Sequence, residues 1–292
     1  VATLDDVAAP KAKRKLTGYW LILPGALWLA VFFVIPFYSL ISTSLFDPKG
    51  SVLTGYDMTW HFSNYVDAID QYKGQIWRSL WYAGVATALC LVIGYVLAYA
   101  IAFKAGRWKN LMLVLVIAPF FTSFLLRTLS WKLILADDGF VVDALQTVHL
   151  LGDDGRLLAT PFAVIAGLTY NFLPFMVLPL YASLEKIDIR LIEASSDLYA
   201  SPLRGFLKVT LPLSMPGVVA GTLLTFIPAA GDYVNAQLLG SPNTRMVGNT
   251  IQSLFTTQGD YAAAGALSVT LMIIIVGAVL MYVRTAGTED LV

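Results

Sequence analysis

Charge is scarce in this sequence, and reactive side chains are scarcer. Only 13% of the 292 residues are Asp, Glu, Lys or Arg, while 58% are hydrophobic. A soluble domain carries charge on roughly a quarter of its residues, so a soluble globular class is excluded and a polytopic membrane protein is indicated. The one cysteine, Cys90, lies inside an apolar run, which excludes an intrachain disulfide and a cysteine metal site. The two histidines, His61 and His149, sit far apart in polar stretches and read as surface residues. No Gly-Lys dipeptide occurs anywhere, so the chain has no phosphate-cradling loop of its own. There is no His-Glu-x-x-His helix, no Cys-x-x-Cys and no Gly-x-Ser-x-Gly elbow, and no apolar run offers a Ser-His pair or two facing aspartates. The chain is therefore not an enzyme by any recognisable constellation. Uphill transport by such a chain must draw its energy from a partner or from an ion gradient.

What is present in abundance is apolar length. Tyr19–Leu45, Trp77–Phe103, Leu111–Leu135, Pro161–Leu184, Leu213–Leu239 and Ala264–Val283 are each long enough to cross a hydrocarbon core, which takes about 20 residues of helix. The first follows a basic tail (Lys11, Lys13, Arg14, Lys15) but is too long for a signal-peptide core and lacks a small-residue cleavage site. Pro36 is expected to kink it. The expected class is an all-α integral membrane protein with six transmembrane helices. A short helix is expected on the outer interface within Gly139–Gly152, where Val141, Val142, Leu145, Val148 and Leu151 recur at helical spacing. No internal repeat is visible.

Six spans place both termini on one side, and the Lys/Arg bias selects the side. With the N-terminus in the cytoplasm, twelve of the nineteen Lys and Arg residues face inward, including the wholly basic loop Lys104–Lys109. The expected division is a cytoplasmic basic tail (1–15), a permease-type membrane domain (16–285) and a cytoplasmic C-terminal tail (286–292). The polar stretch Glu185–Pro212 then faces the cytoplasm. It reads as two short amphipathic runs joined by a turn at Ser201-Pro202.

Within that stretch, Glu193-Ala194-Ser195, three residues, Tyr199, nine residues and Val209-Thr210-Leu211-Pro212 stand at fixed spacing. The pattern resembles the cytoplasmic Glu-Ala-Ala, three residues, Gly, nine residues, Ile-x-Leu-Pro motif of permeases from binding-protein-dependent ABC importers. The flanking runs NFLPFMVLPLYASLEKIDIRLIEASSDLYASP, LPLSMPGVVAGTLLTFIPAAGDYV and APFFTSFLLRTLSWKLIL are similar to the PotB/PotH type of spermidine/putrescine permease. The resemblance covers roughly residues 16–285. It implies a type I importer permease (MetI-like) architecture with a cytoplasmic coupling helix, in a bacterial inner membrane. It also implies a second homologous permease, two ATPase subunits carrying ATP and Mg, and an extracytoplasmic substrate-binding protein. Lipid surrounds such a chain, no nucleic acid is involved, and no cofactor belongs to the chain itself.

The resemblance assigns ATPase docking to Glu193, Ala194, Ser195, Asp197, Leu198, Tyr199, Ala200, Ser201, Pro202 and Phe206. On a helix, Ile187, Leu191, Ala194 and Leu198 fall on one face and Arg190, Glu193 and Asp197 on another. A helix lying on the membrane surface that merely connects two spans is the competing reading. Phe206 and Leu207 are expected to pack the second run onto the spans. Ser195 for Ala is a mild departure from the motif; Tyr199 for Gly is not. A left-handed residue ends many helices and suits Gly, whereas Tyr in that conformation costs of order 1 kcal/mol. The turn is therefore expected to be set by Ser201 as N-cap and Pro202 at the first helical position.

Asp232 is the one acid inside an expected span. A polycation with an aliphatic stem calls for carboxylates and aromatic faces along its path, which Asp232 and Tyr233 offer, with Tyr170 and Phe172 as wall residues. Equally, Arg127 and Asp232 fall at similar expected depth, about 25 and 24 Å along straight helices, and would then pair to order the bundle. Both readings stand at this level. Gly217 and Gly221 form a small-xxx-small pattern expected to serve close helix packing. The expected function is the permease subunit of an ATP-driven importer for polyamines. The alternatives are the same class with thiamine, iron, phosphonate or sugar as cargo, and a proton-coupled secondary transporter with Asp232 as carrier.

Overall fold

The computed structural model describes residues 15–50, 55–152 and 155–285. The expected tails, 1–15 and 286–292, lie outside the described residues apart from Lys15. Among the described residues the secondary structure is helical, with a single isolated bridge between Phe46 and Met58. Among the described residues, four helices are long and apolar enough to cross a membrane, or up to six if each of two bent pairs is one span.

The first span, α1 (Trp20–Ser44), runs from apolar residues into a serine- and threonine-rich end. Pro36 has no N–H for the carbonyl of Phe32 and its ring crowds that carbonyl. The helix absorbs this by widening into a π-turn over Ala30–Val34. α1 leaves most of its side chains uncovered, Trp20, Leu21 and Phe33 among them.

The second helix, α2 (Ser63–Lys104), is 42 residues long and begins well before the expected Trp77. Its first turns carry Asp67, Asp70 and Lys73 on the solvent side and bury Ala68 and Ile76, an amphipathic pattern that an apolar-run criterion passes over.

The third expected span is not one helix. α3 (Gly106–Phe121) and α4 (Phe124–Ile134) meet at 95°. Pro119 tightens the end of α3, and Thr122 and Ser123 then turn extended, with ψ of 150° and 136°. The freed Pro119 carbonyl accepts both the backbone N–H of Thr122 (3.1 Å) and its hydroxyl (2.8 Å). A short helix does form within Gly139–Gly152, as α5 (Phe140–Thr147).

α6 (Pro161–Leu184) matches its expectation at both ends. Thr160 caps it by accepting the N–H of Ala163 at 3.3 Å, and Pro161 occupies the first turn. It is the axis of the core, burying Leu168, Met176, Val177, Leu180 and Leu184 against α2 and the later spans. α7 (Ile189–Asp197) follows. α8 (Pro202–Leu213) and α9 (Met215–Ala230) then meet at 67°, with Pro212 and Pro216 flanking the bend at Ser214.

Glycines let α9 approach α6. A Cβ on Gly217 would lie 2.6 Å from that of Ser183 and 2.7 Å from the Pro179 carbonyl oxygen, and one on Gly221 would lie 2.7 Å from Met176 Sδ. The expected fifth span is shorter than its apolar run: α9 stops at Ala230, and α10 (Val234–Leu239) starts afresh after Gly231–Tyr233. α11 (Val247–Ser253) and α12 (Tyr261–Thr285) complete the chain's described part.

Candidate functional site

Two regions gather the expected functional residues. The first is built where α6 ends. Lys109, at the start of α3, donates to Glu185 Oε1 at 2.6 Å and sits 5.3 Å from the centre of the Tyr181 ring. That ammonium holds the Glu185 carboxylate below its ordinary range. Asp188 then caps α7 by accepting the N–H of Arg190 at 3.0 Å.

α7 turns Ile192 and Ser195 toward the protein and leaves Leu191, Ala194 and Leu198 exposed alongside Arg190, Glu193 and Asp197. Of the expected apolar stripe, Ile187 packs against the core and Leu191 lines a groove with Pro179, Ser183 and Gly217, while Ala194 and Leu198 are exposed. Ser195 contacts the next helix: a Cβ on Gly205 would lie 2.9 Å from Ser195 Oγ.

The end of α7 corrects one expectation. Tyr199 itself takes the left-handed conformation, at φ +57°. Its N–H bonds to the Ser196 carbonyl (3.0 Å), and that of Ala200 bonds to the Ser195 carbonyl (3.1 Å). These are the two bonds of a Schellman ending. Tyr199 thus does what Gly does in the motif, and the turn is set there as well as at Ser201. Ser201 Oγ accepts the N–H of Arg204 at 3.4 Å, with Pro202 in the first turn of α8. The Tyr199 ring is 96% exposed. Phe206 packs edge-on against Tyr95, 5.4 Å between centroids, as expected; Leu207 stays exposed.

The second region lies at the break between α9 and α10. Asp232 is 8% exposed, and its Oδ1 accepts the N–H of Asn235 at 2.8 Å, tying down the first turn of α10. Asn235 Oδ1 accepts from Asn171 Nδ2 at 3.0 Å, and Asn171 Nδ2 also reaches Thr128 Oγ1 at 3.1 Å. Asn249 Nδ2 donates to the Tyr233 carbonyl at 2.6 Å. A buried amide network thus joins α4, α6 and α10. Sequence reasoning missed Asn171 and Asn235, although an amide inside an apolar run is a readable sign of interhelical bonding.

The four candidate path residues do not form one wall. Tyr233 is partly exposed beside Asp232. Phe172 is buried in the core against Phe124 and Phe175. Tyr170 meets Trp131, 5.5 Å between centroids, along an apolar groove of α2, α4 and α6.

The Arg127–Asp232 ion pair is not formed; no ion pair among the described residues includes either side chain. Equal depth assumed two straight helices, and both are broken before reaching these residues. The Arg127 guanidinium instead stands 5.5 Å from the Phe120 ring centre and 5.7 Å from that of Phe124. Among the described residues, no group of three His, Cys, Asp or Glu could hold a metal ion.

Residues 91–286, which include α7, α8 and the turn at Tyr199, match the family model of the binding-protein-dependent transport system inner membrane component. The chain belongs to that family.

It is a permease subunit of an ABC importer, the non-catalytic membrane component, and is closely related to PotB-type permeases. The spermidine/putrescine transport system permease protein PotB of Haemophilus influenzae is 37% identical over 258 residues, covering 88% of this chain and 90% of that protein. PotB of Escherichia coli is 36% identical over 260 residues, covering 89% and 94%. A chain of a bacterial ABC transporter that imports the acidic polysaccharide alginate shares the fold at a TM-score of 0.73, with 17% identity, over 95% of this chain and 97% of that one. A chain of the MetNI methionine transporter shares it at 0.52, with 20% identity, over 73% and 94%.

Proposed function

We propose that this permease forms half of the translocation pathway of a spermidine or putrescine importer. The observation that carries the cargo assignment is the 37% identity to a PotB that runs through nearly the full length of both chains. Residues 16–285 act as one permease domain, with both tails and the 185–212 element in the cytoplasm; the Lys/Arg bias supports that orientation. A second homologous permease completes the pathway. Two ATPase subunits supply ATP and Mg, and an external binding protein delivers cargo.

The exposed Ala194 and Leu198, flanked by Glu193 and Asp197, support docking of α7–α8 on an ATPase subunit. Apolar side chains left uncovered on a polar helix call for a partner. The Schellman turn holds α7 to α8, and Phe206 packs α8 onto Tyr95 of α2, so movement of the ATPase reaches the spans. Asp232 and Tyr233, adjacent at the α9–α10 break, offer a carboxylate and an aromatic face to a passing ammonium group.

The test is reconstitution in proteoliposomes with the chain's own ATPase, second permease and binding protein. Spermidine or putrescine should stimulate ATP hydrolysis and be taken up. Stimulation by thiamine, phosphonate or a sugar in their place would refute the cargo assignment.

A further inference from the structure

A polar groove of about 390 Å3 opens beside the α9–α10 break. One wall is a face of α11 and of the π-turn that continues it, where Asn249, Gln252, Ser253 and Thr256 stand at i, i+3, i+4 and i+7. The opposite face of the same turns is apolar: Val247 and Leu254 are buried, and Ile251 packs with them. Across the groove stand Gln237 of α10 and the exposed Arg245 of the loop between the two helices. Hydrocarbon offers no partner to such a run of amides and hydroxyls, so the groove opens to water.

The walls are fixed before any partner arrives. Arg78 of α2 donates to the Asn243 carbonyl, and Ser79 Oγ accepts the N–H of Val247 at 2.8 Å. Thr244 Oγ1 accepts the N–H of Ser241 at 2.6 Å. Asn249 Oδ1 accepts the N–H of Met246 at 3.0 Å while its Nδ2 holds the Tyr233 carbonyl, so a groove residue is bonded directly to the neighbour of Asp232. The N–H of Ala159 bonds to the Leu239 carbonyl at 2.9 Å, which sets the groove at the start of α6. The α7–α8 element follows the other end of that helix.

We infer that this groove receives a loop of the external binding protein, with an Asp or Glu of that loop on Arg245. A preformed wall of hydrogen-bonding groups costs little to order on binding, and a carboxylate is what an arginine fork matches with two parallel bonds. A cationic cargo is repelled by Arg245, which argues for a protein loop over the cargo itself. A loop seated there releases cargo beside Asp232 and Tyr233. The inference rests on the importer reading above, with α7–α8 in the cytoplasm and the groove therefore outside.

The experiment uses the whole importer in lipid nanodiscs and titrates its own binding protein loaded with spermidine, reading the concentration that half-saturates ATP hydrolysis. Wild type should be stimulated and saturate; no stimulation would refute the polyamine importer reading and this inference with it. Arg245→Glu should raise the half-saturating concentration about 30-fold or more, the scale of losing one partner of a buried interfacial charge pair. Thr256→Trp, which fills the groove and leaves the charge in place, should raise it as well. In both variants the rate at saturation should hold. One Asp or Glu to Arg change in the binding protein should restore Arg245→Glu, which separates pairing from misfolding of the variant. With wild type normal, an unchanged half-saturating concentration in either variant would overturn the groove assignment alone. Rescue of Arg245→Glu only by changes in the second permease, or by none in the binding protein, would overturn it too.

Discussion

Replacing Tyr199 by Gly should make the turn between α7 and α8 more rigid, not less. The left-handed conformation, here at φ +57°, costs an L-residue roughly 1–2 kcal/mol. Glycine escapes that penalty but gives up roughly 0.5–1 kcal/mol of extra backbone entropy. The ring contributes nothing within the chain to offset the difference, because 96% of its surface is exposed. The net gain is therefore about 0.5–1 kcal/mol, or roughly a 2- to 5-fold change in a local opening equilibrium.

The bonds that report it are those closing the Schellman turn, Tyr199 N–H to Ser196 and Ala200 N–H to Ser195. Hydrogen exchange of the purified importer should show slower exchange at residues 199 and 200 in Tyr199→Gly. It should be faster in Tyr199→Val, whose branched side chain tolerates positive φ least. Faster exchange in the glycine variant, or none in the valine one, would refute the assignment of strain to this residue.

Other perturbations address the remaining parts. Glu193→Arg, on the exposed face of α7, should abolish ATP-coupled uptake with membrane insertion intact; near wild-type uptake would count against docking. Asp232→Asn preserves the Oδ1 acceptor that holds Asn235 and removes only the charge, so apparent affinity for a polyamine should weaken while thermal stability holds. An unchanged affinity removes Asp232 from the path.

Gly217→Ala should destabilise by roughly 1–3 kcal/mol through overpacking, seen as a lowered unfolding temperature in detergent, because its Cβ would meet Ser183 and Pro179 at 2.6 and 2.7 Å. The folded-state pKa of Glu185 is depressed by Lys109, so the stabilisation from this tie is full above the ordinary carboxylate pKa and fades as pH falls through the lowered one. Glu185→Gln should remove that part of the acid dependence of thermal unfolding.

Apolar length was sufficient to find α6 to the residue, since Thr160-Pro161 and Glu185 punctuate it locally. It failed where the decisive physics was not hydropathy. The elbow at Thr122–Ser123 and the stop at Ala230 lie inside continuous apolar runs, and only backbone geometry around Pro119 and Gly231 separates them. The early turns of α2 were lost for the opposite reason, being amphipathic and charged. In the 185–212 element, spacing put Tyr199 at the motif's Gly position, but a propensity argument moved the turn to Ser201 and Pro202. The local Schellman bonds outweighed that propensity. Depth arithmetic joined Arg127 to Asp232 because it assumed straight helices. The amides that do knit the region, Asn171 and Asn235, were legible only as isolated polar residues.

Proline divides the helices into two mechanical kinds. α1, α3, α6, α8 and α9 each contain it, while α2 and α12 contain none. At helical rise the 42 residues of α2 make a rod about 63 Å long, twice the hydrocarbon thickness of about 30 Å. One end carries Asp67, Asp70 and Lys73; the other ends at the basic Lys104–Lys109 loop, beside the Lys109–Glu185 tie. A beam of that length amplifies. Tilting it by about 5° around the basic end carries the far tip about 5 Å, roughly one turn of helix. A small rotation at the tied end is thereby a side-chain-sized displacement at the end that carries Asp67 and Asp70.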